Sequence, residues 1–260
     1  MRSRNIALGC ALAGMLGLVA LPPAPARAAS TTRAVSTARA ASGDAARKAA
    51  PALSIAARAT SYAYSTRVRL TVTLGRTHAN RRVSIYAAPF GIRRWLWHSG
   101  KVNAAGQLQV YFRLTRTTKF TAVFGGDARD APARASRTLN AAAIVAEALS
   151  GYTRKTRVRG ITYYVFRASK TLVLHATVSP NKHGECLKPE TEQWDTGSGW
   201  DDRTSYGCDS LDRRSQDSAA FNLVQAVGDR YRIRADYVRS ARDHANHSAN
   251  GPWLYLMVVK

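Results

Sequence analysis

Cysteine is scarce in this 260-residue chain, which contains three, and only Cys186 and Cys208 lie beyond the first 28 residues. Three cysteines exclude a disulfide-dense miniprotein and a four-cysteine zinc site. Hydrophobic residues make up 45% of the chain, which is enough to bury one or two domain cores of ordinary size.

Acidic residues are also few, since 16 Asp and Glu stand against 39 Lys and Arg for a formal net charge of +23. The excess of basic over acidic residues is unevenly distributed along the chain. Residues 53–140 hold 15 basic residues and only Asp127 and Asp130 as acids, whereas residues 141–260 carry a net charge of +4. A surface with so few acids attracts polyanions, with an affinity that falls steeply as salt is added.

Patterns of catalytic residues are missing as well. No two of the six histidines have the i, i+4 spacing of a helical zinc site, and the glycine-rich phosphate-binding loop is absent. Gly197-Ser198-Gly199 lacks the flanking glycine of a nucleophile elbow, because position 196 is Thr196. The sequence therefore predicts a protein that is not an enzyme, with no catalytic residue, metal ligand or cofactor.

Long apolar runs are limited to residues 6–21, which at 16 residues are shorter than the roughly 20 needed to span a bilayer. Arg2 and Arg4 precede the run, and Ala26-Arg27-Ala28 follows it. This order predicts a cleaved secretory signal peptide over residues 1–28. We expect a secreted, extracellular protein without a membrane span in the mature chain, either released or held non-covalently at the cell envelope.

Residues 29–52 consist almost wholly of Ala, Ser, Thr and Arg and contain no aromatic residue. Such a segment cannot bury enough apolar surface to offset the entropy lost on ordering, so it is predicted to be a disordered linker.

Strand periodicity begins after this linker. Residues 68–74 and 108–114 alternate apolar and polar side chains, and Phe120, Ala122 and Phe124 keep the same period. This pattern is typical of half-buried antiparallel strands. It starts again at residues 172–178 and 231–235, at offsets of 104 and 111 residues. The chain is therefore predicted to be all-β, with two tandem β-sandwich domains at residues 53–141 and 142–260.

The middle of the second predicted domain has a symmetric arrangement. Cys186 and Cys208 each lie 11 residues from Gly197, and Trp194 and Trp200 each lie 3 residues from it. A hairpin turning at this glycine would pair both sets in one register, which predicts a Cys186–Cys208 disulfide; two independent thiols are the alternative. Pro189 cannot donate to a strand ladder and predicts an edge strand or a bulge.

Two segments carry a family resemblance. Residues 119–127, Lys-Phe-Thr-Ala-Val-Phe-Gly-Gly-Asp, resemble the F strand and following loop of bacterial Ig-like repeats, and residues 229–235 are similar to the same strand of Ig-like or fibronectin-III-like modules. Such repeats occur in secreted proteins of high-GC Gram-positive bacteria, and 31 Arg against 8 Lys fits such a genome. The resemblance implies two Ig-like sandwiches, a corner hydrogen bond from Tyr231 and no shared active site.

The basic first domain provides the candidate binding surface. Its members are arginines placed beside aromatic or inward apolar residues: Arg67, Arg69, Arg81, Arg82, Arg93 and Arg94. The predicted partner is an anionic cell-wall polymer such as teichoic acid, an acidic polysaccharide or extracellular DNA, and no oligomeric state is predicted. A solvated basic face that reflects an arginine-rich composition is the alternative.

These observations predict a secreted, non-enzymatic Ig-like protein that acts by binding or adhesion at the cell envelope. The alternatives are a structural spacer and an accessory or inhibitory module of a secreted enzyme.

Overall fold

The structure is a computed structural model that describes residues 3–5, 48–75 and 81–260. Apart from the short strand β1 (Ser3–Asn5), the predicted signal peptide lies outside the described residues, and so does the predicted linker up to residue 47. The described chain contains β-strands and one 3-10 helix (Val224–Ala226), which confirms the predicted all-β class. Within this part of the chain no helix is long and apolar enough to cross a membrane.

Residues 54–142 form the first sandwich. Its strands are β2 (Ser54–Ala56), β3 (Ser61–Ala63), β4 (Thr66–Thr73), β5 (Arg82–Pro89), β6 (Trp95–Lys101), β7 (Gln107–Leu114), β8 (Thr118–Phe124) and β9 (Ala133–Ala142). A small sheet has the order β2-β4-β7, and a large sheet has the order β3-β9-β8-β5-β6. The chain passes from the small sheet to the large one between β2 and β3.

The core of the first sandwich follows from the alternation of its strands. Val68, Leu70 and Val72 on β4 are buried, and so are Phe120 and Ala122 on β8 of the opposite sheet. The predicted inward positions are therefore confirmed. The same alternation turns the intervening polar residues of β4 outward.

Residues 144–259 form the second sandwich. Its strands are β10 (Ile144–Ser150), β11 (Arg154–Val158), β12 (Ile161–Arg167), β13 (Leu172–Ser179), β14 (Cys186–Asp195), β15 (Gly199–Ser205), β16 (Asp209–Ser210), β17 (Gln216–Asn222), β18 (Arg230–Val238), β19 (Ala249–Asn250) and β20 (Leu254–Val259). The small sheet has the order β1-β17-β13-β10. The large sheet has the order β11-β12-β20-β18-β14-β15, with β16 paired to β14 and β19 to β18.

Both sandwiches share one Ig-like strand plan. The small sheets hold strands A, B and E, which are β2, β4 and β7 in the first sandwich and β10, β13 and β17 in the second. The large sheets hold strands G, F, C and C′, in the order β9-β8-β5-β6 and β20-β18-β14-β15. In each case a further strand, β3 or β12, runs parallel to strand G. The Ig-like β-sandwich fold is therefore shown by strand order and by the two buried cores.

The predicted hairpin is present with a change of register. Trp194 pairs with Trp200, as predicted, and Cys186 is bonded to Cys208. The prediction of a single register was wrong, because a β-bulge shifts the pairing between Thr191 and Gln193. Beyond the bulge Cys186 lies opposite Ser210 on β16, and the disulfide reaches back to the residue that precedes this strand.

Pro189 lies within a central strand and not at an edge, but it falls at an irregularity of the ladder, which is the second of the two predicted placements: Leu187 pairs with Asp209 and Glu190 with Ser205, so three steps oppose four. On one side β14 pairs with β18, and on the other side β16 pairs up to Leu187 while β15 pairs from Glu190 onward. The proline falls in the gap between these two partners, where its carbonyl accepts a hydrogen bond from the Tyr206 amide. Its missing N–H is therefore not needed for a ladder bond.

The two sandwiches adjoin with a single residue between their strands. Strand β9 ends at Ala142 and β10 begins at Ile144. The Ala143 amide donates to the carbonyl of His247 (3.0 Å), and the His247 amide donates to Ala141 (2.8 Å). The loop between β18 and β20 thus bonds to the end of the first sandwich.

A buried ion pair shapes this loop. Lys182, which is 7% exposed, donates to the Asp243 carboxylate and to Asn246 Oδ1 (3.0 Å). The Tyr237 hydroxyl also donates to Asp243 (2.6 Å), and Asn246 Nδ2 donates to the Thr115 carbonyl in the first sandwich (3.1 Å). Burial alone would raise the pKa of Asp243, but the hydrogen bonds from Lys182 and Tyr237 hold it below its ordinary value.

Removal of the disulfide should destabilise the fold. We expect the double variant Cys186→Ser, Cys208→Ser to lose about 3 kcal/mol in the free energy of unfolding, because the bond closes a loop of 22 residues. Urea denaturation of the secreted protein measures this loss. A reductant should shift the wild-type midpoint and leave the double variant unchanged, and equal stabilities of the two oxidised proteins would contradict the prediction.

Candidate anionic-ligand site

The structure divides the six predicted arginines between two sheets. Arg67 and Arg69 project from β4 in the small sheet of the first sandwich, whereas Arg82 begins β5 in the large sheet. Arg93 and Arg94 lie in the turn between β5 and β6 of that large sheet. The prediction of one common face was wrong, because neighbouring strands of the sequence belong to different sheets of a sandwich.

Arg81 belongs to neither surface. Its guanidinium forms ion pairs with Asp127 (2.9 Å) and with Asp130, and its side chain is 12% exposed. These two aspartates are the only acids between residues 53 and 140. Arg81 therefore stabilises the loop between β8 and β9. Because both aspartates are paired with it, its charge is neutralised and it does not contribute to a free cationic surface.

A groove of about 670 Å³ lies beside β4 on the small sheet. Three arginines and two tyrosines provide its polar lining: Arg58, Arg67, Arg69, Tyr62 and Tyr111. Within the described residues none of the three guanidinium groups forms an ion pair with a carboxylate. We call these five residues the arginine groove.

Cross-strand pairing builds the groove. The register of β4 and β7 places Arg69 opposite Tyr111 and Arg67 opposite Arg113. The Arg67 guanidinium stacks on the Tyr111 ring at 4.5 Å, and Arg113 Nε donates to Ser65 Oγ (2.6 Å). The guanidinium groups of Arg67 and Arg113 thus have separate partners, and neither partner is a carboxylate.

Three members of the groove, Arg58, Tyr62 and Tyr111, were not among the predicted site residues. Arg58 lies on the segment between β2 and β3, and Tyr62 lies on β3, where the apolar alternation is interrupted. The Tyr62 hydroxyl accepts a hydrogen bond from the Ala59 amide (2.7 Å), which fixes the local turn. Only the crossing of this segment over the edge of the small sheet brings it to Arg67 and Arg69.

A buried carboxyl group in the second sandwich has a strongly altered acidity. Glu147 on β10 accepts a hydrogen bond from the Ala235 amide on β18, and its other carboxyl oxygen is buried without a hydrogen-bond partner in the described chain. A Cβ atom at Gly251 would lie 1.9 Å from Glu147, so the glycine makes room for the carboxyl. Burial raises the pKa of Glu147 to about 8. We interpret this carboxyl as a structural hydrogen-bond acceptor that links β10 to β18, and we assign it no catalytic role.

The tyrosine that the family resemblance singled out also lies in this core. Tyr231 is 4% exposed, and its hydroxyl donates to the Asp229 carboxylate two residues upstream (3.1 Å). The partner is a side chain, whereas the resemblance implied a backbone partner.

No protein-family model matches the chain, and no curated protein matches it either. Among solved structures, the D0-D1 domain of intimin is 12% identical, with 78% of this chain and 97% of that chain covered and a TM-score of 0.27. A tetra-tandem repeat in the extending region of a large adhesion protein is 14% identical, with 79% and 49% covered and a TM-score of 0.35.

A third similar structure is trypsin-activated alpha-2-macroglobulin from Escherichia coli, which is 9% identical, with 82% of this chain and 17% of that chain covered and a TM-score of 0.34. The chain thus spans about half of the adhesion-protein repeat and a small part of the macroglobulin. Scores this low establish no common fold, so the Ig-like assignment depends on the strand order described above.

The buried carboxyl of Glu147 predicts a pH-dependent stability. Because its pKa is raised from 4.5 to about 8, the native state holds more protons than the unfolded state between these values. The contribution of this group is complete below pH 4.5 and is lost as the pH rises through 8. The isosteric variant Glu147→Gln should remove this loss, which has an upper limit of about 5 kcal/mol.

Urea unfolding of the wild type and of Glu147→Gln at about pH 5 and about pH 9 measures the effect. The variant should gain stability relative to the wild type at the higher pH. Asp202→Asn, which alters an exposed acid, is the matched control and should show no such gain. A constant difference between wild type and Glu147→Gln at both pH values would contradict the prediction.

Proposed function

We propose that this protein is an extracellular Ig-like binding module that attaches to an anionic polymer of the cell envelope through the arginine groove. The observation that carries the proposal is the set of three guanidinium groups around one groove without a paired carboxylate in the described chain. Arg113, which lies opposite Arg67 on β7, also supports the proposal because it adds a further positive charge beside the groove.

The compartment is supported by the disulfide between Cys186 and Cys208. Disulfides persist in oxidising environments outside the cytoplasm. An export signal over residues 1–28 is predicted by the order of charge, apolar run and small residues. The polyanions available at such a surface are teichoic acids, acidic polysaccharides and extracellular DNA.

The groove suits an extended polyanion in two ways. Exposed arginines on a sheet present donors that pair with phosphate or carboxylate oxygens in a bidentate manner. Tyr111 is 51% exposed and Tyr62 is partly exposed, so both offer ring surface beside the charges. Binding of this kind releases counterions and is therefore sensitive to salt.

A structural spacer is the second candidate function. It is favoured by the junction at Ala143, where a single residue and two backbone hydrogen bonds to His247 connect the sandwiches. A spacer role and a binding groove are compatible, because the second sandwich could separate the groove from whatever holds the chain.

The binding proposal is tested with a triple variant and a matched control. Arg58→Ser, Arg67→Ser, Arg69→Ser removes the charge of the arginine groove, and Arg82→Ser, Arg93→Ser, Arg94→Ser removes the same charge from the large sheet. All six side chains are exposed, so both variants should keep the wild-type melting temperature.

On immobilised heparin, teichoic acid and double-stranded DNA, we expect the groove variant to elute at clearly lower salt than the control. On DNA the slope of log K against log salt should fall by about 3 for the groove variant, close to one per lost phosphate contact. Equal losses in both variants would show a general charge effect and would overturn the groove as the site. A wild type that none of the three matrices retains at low salt would overturn the function.

A further inference from the structure

A row of aromatic rings crosses the outer face of the large sheet in the second sandwich. Tyr163 on β12 contacts Tyr255 on β20, with ring centroids 5.8 Å apart. Tyr255 contacts Trp200 on β15 at 5.4 Å, and Trp200 contacts Trp194 on β14 at 5.2 Å. Four rings from four strands therefore form one continuous path, in which Tyr163 is 4% exposed and the other three rings are more accessible. We call this surface the aromatic face.

Strand pairing places these rings on one face of the sheet. Tyr163 pairs with Tyr255, and Trp194 pairs with Trp200. In the order of the sheet, β15 is separated from β20 by β14 and β18, so the contact between Trp200 and Tyr255 spans two intervening strands. Arg232 on β18 lies between these two rings in the sheet and contacts the Trp200 ring.

Arginines of β18 hold the indole rings in place. The Arg232 guanidinium lies 5.0 Å from the Trp200 ring and 4.5 Å from the Trp253 ring, and Arg234 lies 4.4 Å from Trp253. Cations on ring faces are attracted by the ring quadrupole. Rings held in this way lose little further freedom when a ligand binds, which favours affinity.

Most arginines of the aromatic face are paired with carboxylates. Arg232 Nε donates to Glu192 (2.7 Å), and Arg234 donates to Glu190 (2.9 Å). Arg203 also donates to Glu190, and Arg234 forms an ion pair with Asp236 (3.1 Å). Arg230, whose guanidinium lies 5.9 Å from the Tyr163 ring, adds one exposed positive charge at the end of the row. The guanidinium groups beside the indole rings are therefore neutralised, unlike those of the arginine groove.

We propose that the aromatic face binds an uncharged polysaccharide by stacking pyranose rings on Trp194, Trp200 and Tyr255. Trp194 is 39% exposed, and Trp200 and Tyr255 are partly exposed, so ring surface is available to a ligand. This is a second binding site, separate in position and chemistry from the arginine groove.

A pyranose chain matches both the aromatic rings and the paired charges of this face. Its C–H faces are apolar enough to pack on aromatic rings, and its hydroxyls can bond to carboxylate and guanidinium edges whose charges already cancel. A path of several rings offers contacts to successive sugars of an extended chain. Neighbouring rings are inclined by 57–72°, so successive sugars would pack on rings of different orientation. We expect β-linked polysaccharides to be the ligand class, with single chains of cellulose and chitin oligosaccharides as the main probes.

The test is a pull-down of the oxidised protein on insoluble cellulose and chitin, followed by tryptophan fluorescence titration with cellohexaose and chitohexaose. We expect retention on at least one matrix, and it should persist at about 1 M sodium chloride, where the Debye length falls to about 3 Å. Trp194→Ala and Tyr255→Ala should each weaken binding about tenfold. Trp95→Ala is the matched control, because Trp95 is 38% exposed on the first sandwich.

The outcomes separate this site from the arginine groove. The variant Arg58→Ser, Arg67→Ser, Arg69→Ser should keep its affinity for the neutral probes, and Trp194→Ala should keep its affinity for heparin. The proposal would be overturned if the wild type bound neither of the two matrices and neither of the two hexasaccharides. It would also be overturned if Trp95→Ala weakened binding as much as Trp194→Ala, or if Trp194→Ala dissociated a dimer, since the face would then be an interface between copies of the chain.

Discussion

Alternate burial along single strands is the constraint from which both proposed binding surfaces follow. On β4 the packing of Val68 and Leu70 against the opposite sheet forces Arg67 and Arg69 outward. On β18 the burial of Ile233 has the same effect on its neighbours Arg232 and Arg234. A slip of one residue would carry these charges into a core, so the apolar residues fix the register and thereby the position of every arginine.

Cross-strand partners then decide what each surface attracts. On β18 the register sets Arg232 opposite Glu192 and Arg234 opposite Glu190, so the charges cancel across the ladder. On β4 the register sets Arg67 opposite Arg113, and the charges add. One strand plan with different partners therefore yields an uncompensated cationic groove in the first sandwich and an aromatic surface with mostly paired charges in the second.

The sequence was sufficient for features that depend on neighbours along the chain. Alternation located the inward residues of β4 and β8, and spacing about Gly197 found the disulfide and the Trp194–Trp200 pair. Features that depend on pairing between distant segments were missed, or the predictions of them were wrong. The bulge next to Thr191 has no local signal, and the division of the predicted arginine face between two sheets is set by strand order alone.

The junction between the sandwiches directly connects the two domains that carry the proposed surfaces. Ala143 is too short to act as a flexible linker, and the Thr117 amide adds a hydrogen bond to the Ala245 carbonyl (2.7 Å). The buried pair of Lys182 and Asp243 keeps the contacting loop in shape, because breaking it would leave an uncompensated charge inside the protein. If both proposed surfaces bind, a second contact made by the same chain forms at a high effective concentration. An envelope in which anionic and neutral chains lie side by side would then hold the protein more tightly than either component alone.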